Sequence, residues 1–224
     1  MIGSWPAPAG PGPAKDEYAV RFDRGHARRL LVLPAFFDEA NKLRHFTVAT
    51  MRLLAEDEVD SFLPDLPGCN ESLASLAEQD LESWREAALA VAADFGATHV
   101  LAIRGGALIA PPRLPGWRYG ATSGRGLLNT LLRARVLASK EAGLDEAREE
   151  LLAQGRKEGL TLAGHTLSAA MVAALEDATP PDGKLKDIAP SDLEARPLWL
   201  RAEPGHDAAQ AEALAGRILE DLAL

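Results

Sequence analysis

The run Arg29-Leu-Leu-Val-Leu33 is apolar at four consecutive positions and stops at Pro34. A strand with one wetted face alternates apolar and polar residues, so an unbroken run fits a strand buried on both faces, as in a parallel sheet covered by helices. Parallel neighbours must be joined by long crossovers, and the sequence supplies them. Leu43, Phe46, Thr50, Leu53 and Leu54 place an apolar stripe on a helix from about Asn41 to Ala55. Ser61 to Asp65 then reads as a short strand turned by Leu66-Pro67-Gly68. Leu81, Trp84, Ala88, Val91 and Phe95 mark a second helix, from about Glu78 to Phe95, with Gly96 as its stop. Thr98 to Ile103 is the next strand; it ends at Arg104-Gly105-Gly106, after which Ala107 to Ala110 looks helical until Pro111. The predicted class is α/β, a mostly parallel sheet with helices on both faces.

The ends of the chain complete this outline. Between Pro6 and Pro13 four prolines alternate with alanine and glycine, so residues 1–16 are predicted to be a flexible lead-in. Tyr18 to Phe22 alternates as a half-exposed strand, and residues 17–224 are predicted to form one domain. Residues 123–178 carry helical runs without a clear strand between them and read as a helical lid insertion. Pro197 to Leu200 is predicted to be the last strand, and Ala211, Leu214, Ala215, Ile218 and Leu222 trace a closing helix. Lys184 to Ile188 is a poor strand, which leaves the sheet one strand short of the arrangement described next.

The order of strand, polar loop, helix, a strand ending in Asp-x-x-Gly, helix, and a strand ending in a tight glycine turn resembles the α/β-hydrolase superfamily. The segments LLVLPAFFDEANKLRHFTV, FLPDLPGCNES, LAIRGGAL, TSGRGLLNTLLRARVLASKEAG and LAGHTLSAAMVAALEDA are, in that order, similar to exosortase A system-associated hydrolase 2-type proteins of exopolysaccharide-producing bacteria. The likeness covers roughly residues 28–178. It implies a link to exopolysaccharide production and exosortase-dependent sorting.

The superfamily resemblance also implies a nucleophile at a strand-to-helix elbow in a G-x-S-x-G pattern, whose small flanking residues let the turn tighten. The corresponding residues are Ala102-Ile103-Arg104-Gly105-Gly106, and the sequence has no G-x-S-x-G. A guanidinium stays protonated and cannot attack a carbonyl, so Ser-His-Asp chemistry at this elbow is excluded. His206 stands where the superfamily's histidine is expected, and equally reads as a solvated residue at a helix start. Asp187 is the one acid offered for the third position.

What the elbow does present is a cation beside the backbone N–H groups of Gly105 and Gly106. The loop after the first buried strand carries Glu39, Asn41, Lys42 and Arg44, so Arg104, Lys42 and Arg44 could converge on an anion, with Asn41 as a neutral donor and Glu39 orienting a cation. The plainer alternative is that Lys42 and Arg44 are solvated and that Arg104 is tied in an ion pair with Glu39 or Asp65. Cys69 could be a thiol nucleophile or a packing residue, and Ser123 a nucleophile or a helix N-cap. Three functions follow: a non-catalytic protein binding an anionic small molecule or a partner protein, an ester or thioester hydrolase using Cys69, Ser123 or water activated by His206, or an interaction scaffold alone.

Composition removes other classes. With 24 Lys+Arg against 33 Asp+Glu, the net charge of -9 offers no general attraction for nucleic acid. Arg125, Arg133, Arg135 and Lys140 are followed by Glu141, Asp145, Glu146, Glu149 and Glu150, the pattern of a solvated face with local pairs. A single cysteine and the absence of zinc-ligand spacing predict neither disulfide nor metal, and no motif calls for a cofactor. The sequence shows no secretory leader and no run long enough to span a membrane, so the expected location is the cytoplasm.

Overall fold

The computed structural model describes residues 1–9 and 12–223. Its main sheet contains β1 (Ile2–Ala9), β2 (Gly12–Phe22), β3 (Arg28–Leu33), β4 (Val59–Pro64), β5 (His99–Ile103), β6 (Gly116–Tyr119) and β9 (Leu185–Ile188). Their spatial order is β1-β2-β4-β3-β5-β6-β9. The first two pairings are antiparallel and the remaining four are parallel. The crossovers are α1 (Asp38–Glu56), between β3 and β4, and α2 (Leu81–Asp94), between β4 and β5. After β6 come α3 (Gly124–Glu141), α4 (Arg148–Glu158), a small antiparallel hairpin of β7 (Leu160–Leu162) and β8 (His165–Leu167), and α5 (Ala169–Asp177). The last helix is α6 (Ala208–Ala223).

The unbroken apolar run of β3 is buried on both faces, as expected. Leu31 and Leu33 face a core shared with Trp84 of α2, Leu128 and Leu132 of α3 and Val172 of α5. Leu30 and Val32 face a second core with Phe46 and Leu54 of α1 and Leu214 and Ile218 of α6. The alternation of side chains along a strand divides one apolar sequence between two layers. The turn leading into β3 is anchored by buried Asp60 on β4, which accepts the backbone N–H groups of Arg24, Gly25 and His26 at 2.8–2.9 Å and an N–H of Arg29 at 3.1 Å. Those donors compensate a carboxylate that burial alone would make costly.

Four expectations need correction. The segment taken for a flexible lead-in forms β1 and the start of β2, and Trp5 on β1 is only 1% exposed. Proline is compatible with an edge strand when its nitrogen faces away from the neighbour. Met1 and Arg21 exchange both backbone hydrogen bonds, so alternation along β1 turns the Pro6 nitrogen outward, where no donor is needed. Second, the stretch between Pro112 and Ser123, for which no strand is predicted, holds β6, which is four residues long and starts at Gly116, where a Cβ would run into the Val100 carbonyl oxygen. Third, the poor strand over 184–188 is the edge strand β9, while 197–200, expected to be a strand, holds a 3-10 turn from Leu198 to Leu200. No sheet strand follows β9 among the described residues. Fourth, the insertion over 123–178 is helical but contains the β7-β8 hairpin.

Candidate functional site at the β5 elbow

β3 and β5 are parallel neighbours, so the loops that follow them emerge side by side at one sheet edge. The loop after β3 runs Pro34-Ala35-Phe36-Phe37 and enters α1. The turn after β5 is a 3-10 helix, Arg104–Ile109. The two backbones approach so closely that a Cβ on Gly106 would sit 2.7 Å from the carbonyl oxygens of both Leu33 and Pro34. Arg104 occupies the turn at φ 53°, in the left-handed region that costs a residue with a side chain on the order of 1 kcal/mol. The strained elbow is present, with a guanidinium on it.

That guanidinium is held on three sides. Its Nε and Nη2 donate to the two oxygens of Glu39 at 2.9 and 2.8 Å. Nη1 donates to the Gly120 carbonyl oxygen just after β6. The carbon centre lies 4.1 Å from the ring centroid of Trp199, a cation–π distance. The side chains of Arg104 and Glu39 are 12% and 9% exposed. The ion pair with Glu39, one of the two partners considered for Arg104, is therefore formed, and it joins the elbow to the first turn of α1.

Beside this pair lies a cavity of about 110 Å³. Phe36, Phe37, Leu127, Leu131 and Trp199 form apolar walls, and Asp38, Glu39, Lys42 and Arg104 supply its charge. Leu127, Leu131 and Ala134 come from α3, and Ala163 from the β7-β8 turn, so the insertion walls this cavity. Lys42 donates to Asp38 at 2.7 Å. The expected convergence of three cations does not occur. Arg44, two residues further along α1, points elsewhere and meets buried Asp65 at 3.1 Å, while Asn41 is exposed. A 100° step per helical residue separates these side chains, so Lys42 alone of the three can share the cavity with Arg104.

The remaining predicted residues lie apart from it. His206 stacks on His45 of α1, with ring centroids 4.0 Å apart and planes 11° from parallel, and both residues are exposed. Ser123 caps α3, its hydroxyl accepting the Gly126 N–H at 3.1 Å. Asp187 lies on β9 and is bound by the Arg118 guanidinium at 2.5 and 3.0 Å. After β9 the carboxylate of Asp192 accepts the Ala189 N–H at 2.8 Å and closes a turn. Cys69 lines a separate cavity of about 100 Å³ with His165 and Phe37. Burial, together with the charges of Asp65 and Glu17, pushes its thiol up to about 12, so it is not a thiolate at neutral pH. Burial also pushes His165 below the usual imidazole value. Residues that sequence reading missed are Gly120, Asp38 and Trp199. The last was read as strand interior, and nothing in its local sequence signals that it lies over a guanidinium.

No protein-family model matches the chain, and no curated protein sequence does. Solved structures do. A thermophilic esterase from Thermogutta terrifontis superposes with a TM-score of 0.57 at 14% identity, covering 100% of this chain and 98% of that one. Est1E from Butyrivibrio proteoclasticus gives 0.56 at 14% identity, covering 99% and 100%. The fold is the α/β-hydrolase fold. The α/β hydrolase domain-containing protein 10 from mouse adds a third likeness, with a TM-score of 0.51, 13% identity and coverage of 100% and 98%. At such identities the likeness concerns the fold. Within an α/β-hydrolase fold, the residue at the strained elbow is the seat of the nucleophile. In this chain the residue with positive φ after β5 is Arg104, and among the described residues no histidine lines the adjoining cavity.

Proposed function

We propose that this chain is a non-catalytic protein of α/β-hydrolase fold that holds an anionic small molecule in the cavity beside the elbow. The observation that carries the non-catalytic reading is Arg104 at φ 53°, paired through Nε and Nη2 with Glu39, and the anion is assigned to the cavity because Lys42 also lines it. Acyl transfer needs a nucleophile and a base within hydrogen-bond reach of each other. The elbow offers neither. His206 stacks on His45, Ser123 caps a helix, and the Cys69 thiol is held protonated. A small molecule is preferred over a partner protein because the cavity is walled by the insertion. The exopolysaccharide and exosortase setting is part of the proposal and rests on the order of segments between residues 28 and 178. Placement in the cytoplasm is also proposed. Among the described residues no helix is long and apolar enough to cross a membrane.

The test is direct. Purified protein is exposed to a fluorophosphonate probe and to short-chain acyl esters and thioesters. No labelling and no turnover above buffer are expected. Turnover that disappears in Cys69→Ala, Ser123→Ala or His206→Ala would replace this reading with that of a hydrolase using a non-standard nucleophile.

A further inference from the structure

The two cations in the elbow cavity are not equivalent. Arg104 is saturated by a chelating carboxylate, a carbonyl oxygen and an aromatic ring, and its partner Glu39 is as buried as it is. An incoming anion would have to approach Glu39 to reach it. Lys42 differs. Its side chain is 17% exposed, yet its ionic partner among the described residues, Asp38, is 53% exposed and lies one helical turn away. Exposed pairs of this spacing are weak, and Asp38 can turn into water at little cost. Lys42 is thus a largely covered side chain on the wall of an apolar-lined cavity, with a counter-ion that a ligand can replace.

We infer that Lys42 is the receptor for the ligand's charge and that the ligand is a short aliphatic monocarboxylate, its chain lying along Phe36, Phe37, Leu127 and Leu131 and displacing Asp38. This inference rests on the non-catalytic reading above and gives that site its ligand class. One charge is specified because one cation is available: Glu39 and Asp38 repel a dianion, which disfavours phosphate esters. A short chain is specified because about 110 Å³ equals roughly four water volumes. The carboxylate is held by the three N–H donors of Lys42, and the Arg104–Glu39 pair forms a fixed polar wall that takes no part in charge recognition.

The experiment is an NMR titration of the indole N–H resonances with butanoate, butanol, butylamine and inorganic phosphate at constant ionic strength. Butanoate is expected to bind at millimolar concentration and to perturb the Trp199 resonance, assigned with Trp199→Phe. Lys42→Met should weaken butanoate about tenfold, the worth of a charge-assisted hydrogen bond. It should leave butanol unchanged, which also shows that the variant is folded. Asp38→Asn should tighten butanoate. Equal binding of butanoate and butanol, preference for butylamine or phosphate, or no effect of Lys42→Met would each overturn the inference while leaving the non-catalytic reading standing. Probe labelling or ester turnover in the earlier assay would instead remove that reading.

Discussion

Breaking the Arg104–Glu39 pair from one side should destabilise the protein far more than removing both partners together. The pair is bidentate at 2.8 and 2.9 Å, and both side chains are about nine-tenths covered. Removing one member of a buried pair leaves an uncompensated charge and costs roughly 3–5 kcal/mol. In Glu39→Leu, Arg104 keeps its bond to the Gly120 carbonyl and its contact with Trp199, which places the expected loss near the lower end, about 3 kcal/mol. For a domain of this size that is a fall of roughly 6–12 °C in Tm. In Arg104→Met the carboxylate of Glu39 is orphaned instead, and a fall of similar size is expected. The double variant Arg104→Met, Glu39→Leu fills the same volume with apolar atoms and should return to within about 1–2 kcal/mol of the parent. The assay is urea unfolding followed by circular dichroism, with the four proteins closing a double-mutant cycle. Strictly additive losses, or single variants within about 0.5 kcal/mol of the parent, would refute the claim that this pair is buried and closed.

Three other outcomes are expected. Deleting residues 1–9, or replacing Trp5 with alanine, should lower stability by about 3–5 kcal/mol for the lost aromatic core residue; a Tm unchanged by either would restore the flexible lead-in. Burial opposes ionisation of Asp23, but hydrogen bonds from Arg21 and Arg29 outweigh it and hold the carboxyl down at about 2. Its stabilisation is therefore complete above about pH 4, the unfolded value, and disappears as pH falls toward 2, so Asp23→Asn should flatten the pH dependence of Tm in that window. With its thiol pushed up to about 12, half-buried Cys69 should react with a disulfide reagent at pH 8 far more slowly in the native protein than in denaturant; equal rates would contradict the raised value.

The sequence by itself determined the layers. An unbroken apolar run in β3, followed by stripes at helical spacing in α1 and α2, fits a parallel sheet with helices on both sides, because side-chain alternation gives the run two apolar faces and each stripe gives a helix one face to cover them. It also determined that the residue at this turn is not itself a nucleophile, since a guanidinium stays protonated. Tertiary structure decided the rest. Whether Arg104 serves a ligand or a neighbour depends on Glu39, Gly120 and Trp199, which lie 65, 16 and 95 residues away along the chain and follow β3, β6 and β9, strands that the sheet places on either side of β5. Lys42 and Arg44 have similar sequence credentials, yet the helical turn sends one to the cavity and the other to Asp65. The proline-rich start misled for the same reason. Local composition records conformational freedom, whereas the strand that Pro6 joins is held by a long-range partner and by the burial of one tryptophan, and local propensity contains neither.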